Sequence, residues 1–378
     1  MKPRYLTRVD QISALNVDEK VALRRVEERF AFRSNEYYLS LVDWDDPTDP
    51  IRKIVIPDQM ELEDEGVLDP SQEKDYTVVK GLQHKYRETA LLLVSDVCGS
   101  YCRFCFRKRL FMDHGAEVTR DVTEELAYIR EHPEVTNVLI TGGDPLLMST
   151  SRLEPIVRAV REIGHVRIIR IGSKMPAFNP YRITEDPALR EMIRRYSMPE
   201  KRIYIMVQFN HPRELAPQAV EAVSLLIDAG AIVVNQTPLV RGINDDPAVL
   251  ADLFKKLSFI GVPPYYVFQC RPTKGNGMFQ VPVEETYKIF EEAKAQVSGL
   301  AKRARLVMSH VSGKIEVAGV TDEHVYFKYH QAADPANIGK FMAFRRNPAA
   351  LWFDDYTDPV SDPADLLGMT CPSDRLAL

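Results

Sequence analysis

Between residue 90 and about residue 298, short runs of Val, Ile and Leu alternate with stretches whose apolar residues recur every three or four positions. The first kind reads as strands buried on both faces and the second as amphipathic helices, so their alternation predicts repeated strand–helix units around a parallel sheet. The strands fall at 91–95, 137–141, 166–172, 202–208, 232–239 and 265–269, with helices at 123–132, 151–163, 216–229 and 247–257. In such a sheet the chemistry gathers beyond the carboxyl ends of the strands, so the residues just after each run are the ones to inspect.

The flanks follow other patterns. Residues 17–32 place apolar side chains three and four apart among charges and predict an amphipathic helix, followed by a second segment at 34–41. Residues 47–70 are rich in acids and proline and read as a solvated lead-in that caps the core. Past residue 301 the pattern shifts to short strands at 305–310, 314–317, 324–329 and 341–345, then to a polar, Pro-rich tail. The expected organisation is a helical lead-in at 1–80, a strand–helix core at 81–300 and a β-rich extension at 301–378.

Composition narrows the setting. The 378 residues are 45% hydrophobic and 27% charged, as in a globular protein. A net charge of -5 spread over mixed signs argues against nucleic acid as a partner. The amino terminus has no apolar leader and no run is long enough to cross a bilayer, so a cytoplasmic protein without membrane attachment is expected.

The chemistry starts at Cys98-Gly-Ser-Tyr-Cys102-Arg-Phe-Cys105, which holds three of the chain's five cysteines directly after the first strand. Structural zinc takes four ligands, commonly as two C-x-x-C pairs, and no second pair exists to complete such a shell. A 4Fe-4S cluster can take three thiolates and keep its fourth iron open to a small molecule. The bland reading, three buried thiols brought together by chance, fits poorly with neighbours that are polar and basic.

With Phe104 just before the last cysteine, this loop resembles the signature of the radical S-adenosylmethionine (SAM) enzymes. Its flanks, His84-Lys-Tyr-Arg87 and Arg103-Phe-Cys-Phe-Arg-Lys-Arg109, resemble those of the lysine 2,3-aminomutase family. The resemblance implies a partial, TIM-like (β/α)6 barrel and a cluster held by Cys98, Cys102 and Cys105. On that cluster S-adenosylmethionine would be split to a 5'-deoxyadenosyl radical.

The resemblance extends to the other strand ends. Gly142-Gly143-Asp144 is similar to the motif that holds the amino group of the nucleotide's methionine. Ser173, the Asn210-His211-Pro212 element and Gln236 resemble further nucleotide contacts, although His211 could equally order a loop. Lys85 and Tyr86 match positions near a second cofactor, pyridoxal phosphate, which the family holds through a lysine in a glycine-rich turn. Here that turn is Ser312-Gly313-Lys314, so Lys314 is the candidate, against the alternative of an ordinary strand lysine. The family's run of four glycines is shortened to one, and an expected arginine is Thr89.

Charge then bears on substrate. Arg107 matches the residue that grips the substrate's α-carboxylate. Two aspartates that would clamp the side-chain ammonium of lysine align with Arg271 and Val307. A guanidinium in place of carboxylates disfavours lysine and suits an acidic or neutral amino acid such as glutamate or aspartate. The expected activity is a pyridoxal-assisted amino shift on an amino acid, with electrons from a donor such as flavodoxin or ferredoxin. Two alternatives stand beside it: a radical enzyme without pyridoxal phosphate, and an iron–sulfur electron carrier or sensor without catalysis. The sequence neither requires nor excludes a homo-oligomer. Cys371, alone in the tail, suggests no zinc there.

Overall fold

The computed structural model describes residues 2–63 and 66–360. A short antiparallel pair, β1 (Tyr5–Leu6) and β2 (Ser34–Asn35), stands apart from a twelve-stranded sheet. That sheet begins with the antiparallel strands β3 (Thr77–Val79) and β4 (Leu82–Tyr86). It continues through β5 (Thr89–Ser95), β6 (Asn137–Gly142), β7 (Ile168–Ser173), β8 (Ile203–Val207), β9 (Ile232–Leu239), β10 (Pro264–Gln269) and β11 (Arg305–His310), all parallel. The antiparallel strands β12 (Gly313–Val320), β13 (His324–Ala332) and β14 (Phe341–Arg345) complete it. The strand order is sequential from β3 to β14, and the sheet is open, with those two strands at its ends.

The six core strands lie where the hydrophobic runs put them, within two residues at each end. One feature is corrected: β11, read as the first strand of a separate extension, joins the parallel run as a seventh strand. The reason is the helix Val283–Ala295, which the sequence pattern did not single out. It carries the chain back across the sheet, so β11 must enter in the same direction as β10. A second unforeseen helix, Pro187–Tyr196, does the same between β7 and β8, starting on an Asp186 cap with Pro187 at its first position. The helix foreseen at 17–32 ends at Arg29, and Phe30 and Phe32 are instead buried in extended chain. It opens on a capping box in which Asn16 and Glu19 bond each other's backbone N–H.

The two larger of three apolar clusters among the described residues divide the work. The larger runs from Leu82 through the core strands and their helices to Tyr356, with no break at residue 301. The second joins Leu6, Tyr38, Ile51 and Ile54 of the lead-in to Phe104, Phe178, Val240 and Phe279, each of which follows a different parallel strand. The lead-in therefore lies over the carboxyl ends of the strands, and so over the site. No helix among the described residues is long and apolar enough to cross a membrane. Cys371 and the tail from 361 onward lie outside the described residues.

Candidate active site

The carboxyl ends of the parallel strands surround a cavity of about 300 Å³. Cys98, Cys102 and Cys105 line it on one side, Gly142, Gly143, Asp144 and Ser173 beside them, and Gln236 from β9. Lys85, Tyr86, Arg107, Arg271 and Lys314 complete the set of sequence candidates that face it. Asn210 and His211 do not; they sit behind the wall.

The cysteine loop is fastened from outside. Tyr101 N–H donates to Arg33 O (2.9 Å), Arg103 N–H to Ile54 O (2.8 Å), and the Asn276 amide to Phe104 O (2.9 Å). Tyr101 stacks on Phe111 with ring centres 4.1 Å apart. These contacts occupy the loop's backbone and leave the three free, half-buried thiols toward the cavity. Among the described residues no three His, Cys, Asp or Glu side chains converge on a single metal position. A four-iron cluster needs no such convergence, since each thiolate binds a different iron, so the trio suits a cluster and not a mononuclear ion.

The two glycines after β6 are required by that loop. A Cβ on Gly142 would lie 2.2 Å from Ser95 O, and one on Gly143 would lie 2.5 Å from Val97 O. Gly142 also has φ +120°, a conformation side chains avoid. What the glycines approach most closely is thus the chain leading into the cysteines, to which Gly143 and Asp144 donate their N–H groups. The Asp144 carboxylate accepts bonds from Leu146 N (3.0 Å), Ser173 Oγ (3.0 Å) and Lys174 N (2.7 Å). Burial pushes its pKa up to about 6, against those bonds. Its oxygens are thereby committed to joining the β6 and β7 ends.

A buried polar network lies behind. The Lys174 ammonium bonds Glu214 (2.6 Å), Asn210 Oδ1 (2.6 Å) and Gln208 O (2.9 Å). Glu214 also takes the Tyr38 hydroxyl at 2.6 Å and the N–H groups of Asn210 and His211. Asn210 and His211 therefore order the β8 and β9 ends around Lys174, while Gln208 and Gln236 face the cavity.

Opposite the cysteines, Lys314 projects from β12 with its ammonium 4.3 Å from the centre of the Tyr266 ring and 5.7 Å from that of Phe268. Burial, followed by Arg170, Arg271 and Lys85, brings its pKa down to about 7. Gly313 precedes it because a Cβ there would lie 2.4 Å from Gln331 O on β13. The turn is braced by Ser312 Oγ, which meets His310 Nδ1 (2.7 Å) and the Tyr329 hydroxyl (2.8 Å). His310 in turn reaches Asp354 at 3.0 Å. Lys85, whose pKa burial lowers to about 8, donates to His310 O. A lysine whose pKa burial lowers, set over aromatic faces with cations Lys85, Arg170 and Arg271 on the same wall, fits a cofactor that bears an aldehyde and a phosphate.

The arginines divide into satisfied and unsatisfied. Arg107 holds Glu73 side-on through Nε (3.0 Å) and NH2 (2.8 Å) and donates NH1 to Thr141 (3.2 Å). Of its five N–H donors, one on NH1 and one on NH2 stay open among the described residues. Arg109 binds Glu73 as well, at 2.8 Å. Burial works against ionisation of Glu73, but Arg107, Arg109 and Arg271 outweigh it and hold the carboxyl below its ordinary range. Arg271 stacks on Phe106, 3.6 Å from the ring centre, and its NH1 is buried without a partner among the described residues.

Sequence reasoning missed Glu73 and the segment around it. Ser71 donates to Ser309 O (2.6 Å) and Tyr76 to Val311 O (2.7 Å), so this strap joins the turn before Lys314 to the arginines after Cys105. The strap has no hydrophobic period, so no pattern marked it. Lys174 was likewise passed over, although it adjoins Ser173.

The Radical SAM superfamily model matches residues 92–254. A protein of Aquifex aeolicus named putative L-lysine 2,3-aminomutase is 57% identical over 362 residues, covering 96% of this chain and 97% of its own length. The L-lysine 2,3-aminomutase of Fusobacterium nucleatum is 39% identical over 290 residues, 76% of this chain and 67% of its own. The glutamate 2,3-aminomutase of Clostridioides difficile is 36% identical over 302 residues, 78% of this chain and 70% of its own.

Proposed function

The chain belongs to the lysine 2,3-aminomutase family of radical SAM enzymes, and we propose that this aminomutase acts on an acidic amino acid, glutamate or aspartate, in preference to lysine. Membership sets aside the reading as a bare electron carrier. In the family a 4Fe-4S cluster with S-adenosylmethionine supplies a hydrogen-abstracting carbon radical, and pyridoxal phosphate supplies a conjugated system that spreads the unpaired electron.

Cys98, Cys102 and Cys105 would hold the cluster, and Gln236 with the Gly142–Gly143 backbone would meet the nucleotide. Asp144 and Ser173 line the cavity and bond each other, Asn210 and His211 act one layer back, and together they keep the strand ends in register. Lys314 would carry pyridoxal phosphate, with Lys85, Tyr86 and Arg170 beside it. The open edge of Arg107 would receive the α-carboxylate, with Glu73 holding that guanidinium in place. Small proteins such as flavodoxin or ferredoxin are the fitting one-electron donors.

The observation that carries the substrate reading is Arg271: a guanidinium on the cavity wall with a buried nitrogen that has no partner among the described residues. Among the described residues the acids on that wall are Glu73, taken by two arginines, and Asp144, taken by three donors, so none of these carboxylates is free for a lysine side chain. A carboxylate would satisfy the Arg271 NH1, whereas an ammonium would be repelled by it. The name of the 57% identical relative favours lysine as a second reading. Turnover of lysine, glutamate and aspartate by anaerobically reconstituted, reduced enzyme separates the two. The acidic reading expects a β-amino acid from glutamate or aspartate, and fails if lysine is the better substrate.

A further inference from the structure

Lys108 lies three residues past the last cluster cysteine, is 6% exposed, and is absent from the cavity wall. Its ammonium has no hydrogen-bond partner among the described residues and sits 4.6 Å from the centre of the Phe30 ring. The charged and thiol groups around it are Glu61, Arg103, Cys105 and Cys270. Glu61 is already spent: Arg103 grips it at 2.8 Å through both Nε and NH2, and both side chains are buried. Among the described residues, the charged groups that act on Lys108 behind the cysteine loop are one further cation, Arg103, and one carboxylate, Glu61.

A buried cation with no partner is costly and persists where an anion is close. A cluster held by three thiolates is such an anion, and its negative charge grows by one when it takes an electron. We propose that Lys108 is the counter-charge of the reduced cluster, raising its reduction potential so that a low-potential one-electron donor can load it. The effect acts through the cluster's charge and needs no contact with S-adenosylmethionine or substrate. It separates Lys108 from its neighbours Arg107, which is paired with Glu73, and Arg109, which is paired with Glu73, Asp69 and Glu117. The inference rests on Cys98, Cys102 and Cys105 holding the cluster.

The test is the midpoint potential of the anaerobically reconstituted full-length protein, titrated with dithionite and followed by electron paramagnetic resonance, with iron and sulfide counted in each sample. Lys108→Met keeps the apolar stem and removes the charge, so its potential should move to a more negative value. Lys108→Arg should stay with the parent. An intact cluster in Lys108→Met at the parent's potential overturns the proposal. Should Lys108→Met fail to hold iron, Glu61→Gln leaves the layer one charge more positive and must shift the potential upward; an unmoved or lowered value there overturns it as well. A parent protein that takes up no iron and sulfide instead sinks the cluster assignment, which keeps the two failures apart.

Discussion

A lysine amine can attack an aldehyde only in its neutral form, and Lys314 reaches that form near neutrality because its surroundings are buried and already positive. Uptake of pyridoxal phosphate should therefore rise with pH, half-maximal near pH 7, followed by the visible absorbance of the protein-bound cofactor. Lys314→Ala should take up none in this way, and a parent protein whose uptake is flat from pH 6 to 8 would contradict the placement. The sign of the linked stability effect is also set. The folded-state pKa of about 7 lies below the unfolded value of about 10.4. Between those values the unfolded chain binds a proton that the folded one does not, so this group's contribution makes the cofactor-free protein more stable as pH rises across that window.

At the scale of elements, two pieces carry the site, and they differ in how readable they were. The β11–β12 turn was legible because Gly-Lys stood between two apolar runs, and the structure gives the glycine its reason. Gly313→Ala would put a methyl 2.4 Å from Gln331 O, so chemical denaturation should show a loss of about 1–3 kcal/mol, with Lys314 displaced and cofactor uptake reduced. The strap around Glu73 was not legible: its value comes from where Ser71, Glu73 and Tyr76 meet residues 30 to 240 positions away, roughly, and no local pattern encodes that. Glu73→Gln would turn one of two accepting oxygens into a donor facing Arg107. The KM for a carboxylate substrate should rise about tenfold, in line with the worth of one charged hydrogen bond, with kcat nearly unchanged. A fall in kcat at constant KM would assign Glu73 some other role.

Over the whole molecule, the parallel sheet was readable because strands buried on both faces leave a plain apolar signature, and the cysteine loop because its spacing is tight. The direction of β11 was not, since it depends on a helix, Val283–Ala295, whose acidic and aromatic residues blur its period. Nor was the setting of Asn210 and His211. Their motif gave position at a strand end, but the Lys174–Glu214 pair that draws them behind the wall involves three strand ends and Tyr38 of the lead-in. The sum of these placements is a cavity whose wall bears Lys85, Arg107, Arg170, Lys174, Arg271 and Lys314 against Glu73 and Asp144. Such a wall selects for negative charge in what enters it.

Arg271→Asp reverses that selection at a buried guanidinium whose NH1 has no partner among the described residues. The most direct measurement is the ratio of kcat/KM for glutamate or aspartate to that for lysine, compared between parent and variant under identical anaerobic conditions. We expect the ratio to favour the acidic substrate in the parent and to fall by about a hundredfold or more in the variant, as for exchanging an attractive for a repulsive buried charge. A ratio that already favours lysine in the parent, or that the exchange leaves in place, would contradict the account.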